Sequence, residues 1–397
     1  MAGSTSTLRV AGMPSGYPAE IDSNLKIRWV DNMVTNMSED STQLLKWAGG
    51  PSQFTFTNPK IEWIEDDQFG RRPVHTGLTN AADTSLVVTG LAHQFPVGTL
   101  FMHVADGEIA RVIAIVDSDT LTLQRDVPGA VSEGAWLSTD EVIVAGHAMS
   151  EDDNWTFRPS GILSMPYNYA QITHTAVQAS YRRVATAFYG NLTGTDLDYQ
   201  SAGAVAFEYV AMEEALVFGY RYAGASAARP AMTGGLAFYI TDANGAEVTD
   251  LNSAALTRTD IEDNLQAQWY SVGPDKMSRT IVGSVFAQRR IDSFWSQAER
   301  LPAGFSGVPG VTISGYKTAF GNVEILMHTA VAKNELYFLN KSNIAMGCYA
   351  GLGRPHLLAF PQPSTQGPRI QRAFYADIGV KIKGVQGMGK IQEFALS

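Results

Sequence analysis

The sequence predicts an α+β protein with a small all-β module set into a long extended ribbon. Three observations carry this. Residues 195–224 hold the longest helical pattern in the chain. Residues 84–146 are dense in short β-branched runs separated by turn residues. From residue 257 onward, helical and strand-like stretches alternate. The length of 397 residues suggests two or three modules, and 45% apolar residues are enough for a packed interior.

Residues 1–57 are rich in Ser, Thr, Asn, Gly and Met with weak periodicity. They read as an arm with one short helix near Thr42–Trp47. The stretch "NPKIEWIEDDQFGRRP", Asn58 to Pro73, then alternates apolar and acidic residues and ends in two arginines and a proline. It resembles neither a buried strand nor a catalytic loop. Ile61–Thr79 and Ala148–Gln171 are both extended and polar, with aromatics Trp63, Phe69, Trp155 and Phe157. They read as the outgoing and returning strands of one ribbon. Between them lie "SLVVTG", "TLFMHVA", "EIARVIAIVDSDTLTLQRD" and "DEVIVAG". "DSDT", flanked by Val112–Val116 and Leu121–Leu123, is a hairpin turn, and the whole is a small barrel or sandwich.

The long helix opens with Thr195 or Asp196 as N-cap and closes at Gly224. Val205, Tyr209, Met212, Leu216 and Tyr220 form one continuous apolar face. A helix from about Leu197 to Tyr222 would be a rod of about 39 Å at 1.5 Å per residue. "TDIEDNLQAQWYS" shows a capping box, Thr259 with Glu262, and a face of Ile261, Leu265 and Trp269. Gly273-Pro274-Asp275 breaks it. "SRTIVG" reads as a buried strand, "SVFAQRRIDSFWSQAE" as a helix, "VTISGYKTAFGNVEILMHTAV" as a hairpin and "ELYFLN" as a third strand. The tail is Pro-rich after Arg354, then strand-like in "RAFYADIGVKIKGVQGMGKIQEF".

Charge is unevenly spread. Ile61 to Ala170 holds 16 acidic and 5 basic residues, a net of −11; the remaining 23 acidic and 24 basic residues give +1. No basic stripe of the kind a nucleic-acid binder needs is visible. The start, "MAGSTSTLRVAGMPSG", lacks the apolar segment of a signal peptide, and no apolar run is long enough to span a membrane. Cys348 is the only cysteine, which fits folding in a reducing cytoplasm. The sequons at Asn154 and Asn191 are then chance matches.

Catalytic chemistry finds little support. The seven histidines, at 75, 93, 103, 147, 174, 328 and 356, include no i, i+4 pair. His174 and His328 read as structural residues and Cys348 as a small core residue. No Gly-x-Ser-x-Gly elbow occurs. Glu65-Asp66-Asp67 and Glu151-Asp152-Asp153 lack the alternation of a calcium loop. Gly384 to Lys390 fits the first seven positions of a P-loop, but Ile391 stands where Ser or Thr would hold Mg²⁺, and only six residues follow. Turns in a terminal strand explain those glycines better.

The order of arm, ribbon, long helix, mixed domain and β return resembles the tailed-bacteriophage major capsid fold, the Johnson or HK-ninety-seven-type fold. The likeness is closest to the SU-ten-like major capsid family. It rests on "IEWIEDD" at the start of the loop, the β insertion, and "YNYAQITHTAVQASYRRVATAFYG" returning from it. Further on it rests on "AARPAMTGGLAFYI", "NLQAQWYSVGPDKMSRTIVGSVFAQRRIDSF" and "GYKTAFGNVEILMHTAVAKNELYFLN". The likeness runs from about Thr42 to the end; Arg229-Pro230 departs from the pattern, and the path of the long arm is not placed by it.

The resemblance implies an N-terminal arm over 1–58, an extended loop over 59–80 and 148–178, and an inserted β-domain over 81–147. A peripheral domain with the spine helix would cover 179–233, an axial α+β domain 234–350 and a return to the peripheral domain 351–397. The ribbon would lie on a neighbouring subunit, with Trp63, Arg71, Arg72, Trp155 and Arg158 at the subunit interface. The expected role is a structural subunit, not an enzyme, that assembles into hexamers and pentamers of an icosahedral head around double-stranded DNA. It would do so without cofactor, metal or membrane and without specific DNA binding. Assembly would take place in the host cytoplasm and the product would be the virion. Scaffolding, portal and decoration proteins are further candidate partners. The alternatives are a bacterial compartment shell of the same fold and a hydrolase with a β-rich accessory domain.

Overall fold

The computed structural model describes residues 42–66, 72–76, 78, 80, 82–88, 92–129, 134–151, 163–185, 196–294, 300–301, 314–352, 354–359 and 369–395. The expected arm falls outside these residues except at its end.

In chain order, α1 (Gln43–Ala48), β1 (Phe54–Phe56) and β2 (Lys60–Glu62) lead to five strands: β3 (Ser85–Val87), β4 (Thr99–His103), β5 (Ile109–Ile115), β6 (Thr120–Gln124) and β7 (Val142–His147). The chain returns through β8 (Tyr167–Tyr169) and β9 (Gln171–Ser180) to α2 (Tyr181–Ala185), α3 (Asp196–Phe218) and α4 (Leu236–Tyr239). Then come β10 (Glu247–Asp250), α5 (Arg258–Val272), β11 (Thr280–Gly283), α6 (Val285–Asp292), β12 (Arg300–Leu301), β13 (Ser314–Thr318), β14 (Gly321–Met327) and β15 (Leu336–Leu339). The chain ends with β16 (Ile344–Tyr349), β17 (His356–Ala359), β18 (Arg369–Ile382) and β19 (Gly389–Gln392).

The 14-residue β18 organises the first sheet. One side pairs antiparallel with β9 from Arg369↔Ser180 to Ile378↔Gln171. The other pairs with β17 and then β16, and β16 takes β1 in parallel. α3 runs along β9 and β18. Arg372 Nη1 meets Asp198 Oδ1 at 2.5 Å, Thr175 donates to Glu208, and Tyr209 packs on Phe374 with centroids 5.9 Å apart. Met212 and Leu216 are fully buried, so this part of the expected face does meet the core. The other end does not. The helix stops at Phe218, four residues before Tyr222, and Tyr220 is 63% exposed. The cause is a close backbone approach. A Cβ on Gly219 would stand 2.3 Å from the carbonyl oxygens of Ala215 and Thr233, and Gly235 N–H donates to Gly219 O at 2.8 Å.

The second sheet has seven strands in the order β10-β19-β15-β11-β14-β13-β12. Its centre, β11, is buried at all four positions, as the apolar run "TIVG" requires. α5 lays Ile261 and Leu265 on this sheet, but Trp269 is partly exposed. The capping box sits two residues earlier than expected. Thr257 Oγ1 accepts from Asp260 N–H, and the Asp260 carboxylate accepts from Thr257 N–H at 2.8 Å, while Glu262 pairs with Arg258 across one turn. Both Thr-x-x-acid spacings exist in the sequence; the one chosen is where extended backbone ends. α6 is shorter than its pattern suggests, and residues 295–299 lie outside the described set. The near-P-loop is a short turn from Gly384 (φ +55°) into β19.

The third sheet, β3-β6-β5-β4-β7, is wholly antiparallel and encloses its own apolar core. Leu86, Phe95, Phe101, Val112, Leu121 and Trp136 fill it, and Leu78 joins them from residues before the first strand. Asp117 closes the β5–β6 turn by accepting from Asp119 N–H at 2.8 Å and Thr120 N–H at 2.7 Å. Glu108 is fully buried there. Its carboxylate receives Arg125 Nε at 2.5 Å and Nη2 at 2.6 Å, Trp136 Nε1 at 2.9 Å and Asp126 N–H at 3.2 Å. Burial alone would raise Glu108, but the Arg125 and Trp136 hydrogen bonds outweigh it and hold the carboxyl below its ordinary range.

Candidate assembly interface

The ribbon is rooted by backbone pairing and by one asparagine. β2 and β8 pair antiparallel with Ile61 opposite Asn168, and Glu65 bridges Ser164 with two hydrogen bonds of 2.9 Å. Asn168 is fully buried. Its Nδ2 donates to Val380 O at 2.7 Å and Gly234 O at 2.9 Å; its Oδ1 accepts from Gly234 N–H at 2.7 Å and Tyr169 N–H at 2.9 Å. All four of its hydrogen-bonding positions are used, which ties ribbon, first sheet and the start of α4 together. Ile61 lies on β18 at Gly379, where a Cβ would stand 2.1 Å from Ile61 Cδ1.

Trp63 belongs to this root. It is 5% exposed, packs on Tyr239 with centroids 6.1 Å apart, and donates from Nε1 to Glu65 Oε1 at 2.8 Å. The same oxygen accepts Gly384 N–H at 3.0 Å. An indole facing a neighbouring subunit is therefore not what the chain presents; Trp63 is core within one subunit. Tyr239 in turn donates to Tyr167 O at 2.6 Å, and burial pushes its hydroxyl up to about 12, so it remains a donor. Arg221 stacks over Tyr167 at 4.2 Å and completes the cluster.

The opposite face of the same strand pair is apolar and open: Ile64, Leu163 and Met165 are more than half exposed, and further along the ribbon Val74 is 83% exposed. Arg72 contacts its own chain, pairing with Glu141 of β7's approach and lying 4.1 Å over the Tyr270 ring of α5. Arg71, Trp155 and Arg158 lie outside the described residues.

Sequence reasoning missed one junction. Glu213 of α3 is buried and accepts His328 Nε2 at 2.5 Å, Leu44 N–H at 3.2 Å and Leu45 N–H at 3.2 Å. Thr42, the N-cap residue of α1, makes no side-chain cap, so a carboxylate 169 residues away does that work. No local spacing signals such a cap.

Among the described residues no group of three or more His, Cys, Asp or Glu is arranged to hold a metal, and no described helix is long and apolar enough to cross a membrane. Burial raises the Cys348 thiol, which donates to Pro51 O at 3.1 Å.

Known proteins resemble this arrangement. The capsid of a native GTA particle superposes with a TM-score of 0.52 at 10% identity, covering 95% of this chain and 98% of that one. The cyanophage A-1(L) capsid gives 0.49 at 11% identity, covering 94% and 98%. A Synechococcus elongatus encapsulin gives 0.42 at 10% identity, covering 60% and 79%. No curated protein sequence matches the chain. The fold is that of the GTA particle's capsid protein. The family model described as SU10 major capsid protein matches residues 15–395. With nearly the whole chain matched and the fold in agreement, this is a structural shell protein and belongs to the SU10 major capsid protein family.

Proposed function

We propose that this chain builds the icosahedral head of a tailed bacteriophage as hexamers and pentamers around double-stranded DNA, and that its ribbon reaches onto a neighbouring copy. The observation that carries the reading is the contrast between the two faces of the ribbon's strand pair: Asn168 and Trp63 lock one face within the subunit, while Ile64, Leu163 and Met165 stand exposed on the other, with Val74 exposed further along. Apolar side chains clustered on a projecting element mark a surface that another protein covers.

In this reading α3 and the first sheet form the peripheral wedge, the seven-stranded sheet the axial domain, and β3–β7 an outward module. An acidic module placed outward avoids the packaged polyanion. The capsid needs no specific DNA contact, and scaffolding, portal and decoration proteins would join it during assembly in the host cytoplasm. Negative-stain microscopy of the expressed chain tests this, with closed shells or capsomers expected. A small soluble oligomer that persists with the accompanying scaffold present would overturn it. Shells packed with an enzyme would favour a compartment.

A further inference from the structure

α3 is apolar all the way round, whereas a surface helix ordinarily keeps one side polar. Ala204, Met212, Ala215 and Leu216 are buried on the side that faces β9 and β18. The side turned away from the sheet carries Tyr199, Phe207 and Phe218, all exposed, Phe207 by 64%. Val210 and Ala211 lie half-buried between these rings, and Glu214 is the one carboxylate in the row from Tyr199 to Phe218. Gly203 leaves a hollow beside Phe207, since a Cβ there would meet nothing within 4 Å. The row runs about 28 Å along the helix. Aromatic rings left open over such a length mark a surface that another segment covers.

We infer that residues 29–37 of the same chain cover this face of α3. The place where the chain enters the fold selects the occupant. The described residues begin at Thr42, which is buried, and α1 follows against the flank of α3, where Leu44 and Leu45 N–H donate to Glu213. Glu214 and Phe218 come one step round the helix from Glu213 and Val217, so residues 1–41 lead away from a point beside the open face. Within that weakly patterned arm one stretch differs. Val30, Met33, Val34 and Met37 stand at i, i+3, i+4 and i+7, with Trp29 beside them, which is the spacing of one helical face. The reach is sufficient. The chain from Met37 to Thr42 spans up to about 17 Å, and Phe207 lies about 9 Å along α3 from Glu213. Chemistry agrees as well. Unbranched methionine fills irregular hollows such as that at Gly203 and packs favourably on aromatic rings. A stretch this short does not hold a helix by itself in water, so it needs an apolar surface as much as the surface needs a cover. The inference concerns a single subunit and does not depend on the ribbon reaching a neighbour.

The test is proximity chemistry on the full chain, whose one native cysteine, Cys348, is buried. M33C/F207C treated with a short bis-maleimide should link within one chain in most molecules, read by mass spectrometry of the digested protein. M33C/Q178C should not, because Gln178 is exposed on the sheet face opposite to Thr175, which bonds α3. A second readout needs no cysteine. Phe207→Asp should leave the subunit's melting temperature unchanged, since the ring is exposed, and should speed tryptic cleavage at Lys26 and Arg28 about tenfold or more by freeing the stretch. Absence of the link together with an unchanged cleavage rate would overturn the inference. Links found only between chains would give the face to a neighbour's arm, and F207C chains that pair with one another would give it to a second α3. An F207C thiol shielded by an added scaffolding protein, and not by the arm, would give it to that protein. Each of these three results also overturns the assignment. Shell formation is read separately by microscopy, so none of them touches the shell reading.

Discussion

Glu213 and His328 meet at 2.5 Å in the interior, 115 positions apart in the chain, and their pairing fixes three elements at once. Ala330 N–H donates to His328 Nδ1 at 3.1 Å, so the ring's proton sits on Nε2 and points at the carboxylate. The second oxygen of Glu213 and part of the first hold the open end of α1. Glu213→Leu should therefore cost about 3–5 kcal/mol, because it strands a buried imidazole and two backbone N–H groups. Glu213→Gln, which keeps an acceptor, should cost clearly less. Urea unfolding of the subunit measures both, and equal costs would show that a neutral acceptor cannot stand in for the carboxylate.

Leu216→Ala should cost about 2–5 kcal/mol through lost burial and the cavity left beneath α3. Tyr220→Ala, on a residue that the sequence pattern places on the same face, should cost only about 1 kcal/mol, since that side chain lies past the helix end, is mostly exposed, and gives up one edge contact with Phe238. Thermal melting of the two variants side by side decides the matter.

Trp63→Ala should destabilise the isolated subunit by about 3–5 kcal/mol. An interface tryptophan would instead leave the subunit's melting temperature alone and weaken only assembly. The two readouts, subunit stability and shell yield, separate these cases.

Acid should weaken the inserted module before the rest. Burial pulls Asp106 up, but the Glu108 N–H and the His103 ring pull it further down. The Leu137 N–H lowers Asp140, and Arg125 and Trp136 lower Glu108. A carboxylate held below its unfolded value contributes stability that is present above about pH 4 and is lost as pH falls through the folded value. His75 is lowered by burial, so its contribution is complete above about pH 6.5 and declines below it. Hydrogen exchange across β3–β7 should be constant from pH 7 upward after correction for intrinsic rates. Protection should fall modestly below about pH 6.5 and steeply below about pH 4. Protection that rose on acidification would contradict these shifts.

Mature particles should carry no lysine-derived cross-links from the ribbon. Between Lys60 and Lys276 the chain has no lysine. Lys60 sits at the root, 2.5 Å from Glu62, whose hydrogen bond raises the amine and keeps it protonated. An ammonium is not a nucleophile, and arginine cannot replace it. Boiled particles should run as one band near 42.9 kDa on a denaturing gel. A ladder would show the reasoning mistaken.

What the sequence made legible was local. The period of α3, the alternation through β4 to β6, the Asp117 turn and the β13–β14 hairpin are all set by residues within a few positions of one another. What it hid was decided at a distance. Trp63 reads as a surface anchor because nothing near it in sequence announces Tyr239, 176 residues on. The end of α3 depends on Gly235 meeting Gly219. Asn168 reads as an ordinary polar residue in a ribbon until Gly234 and Val380 close around it. The candidate surface was therefore half visible: the acidic ribbon by composition, its buried root only once Asn168 and Trp63 found their distant partners.

The Glu65–Ser164 bridge has a consequence for how this protein can change. It brings the start and finish of a segment of nearly a hundred residues to within one strand spacing. Apart from the Arg72 contact with Tyr270, what is threaded between those two points leaves the sheets below largely unconstrained by its length, since doubling a flexible connection costs only about 0.6 kcal/mol. The site is a socket. A lineage could exchange, lose or enlarge the module there while keeping the same lattice, and an engineer could seat a foreign antigen or enzyme in its place, repeated over the whole particle.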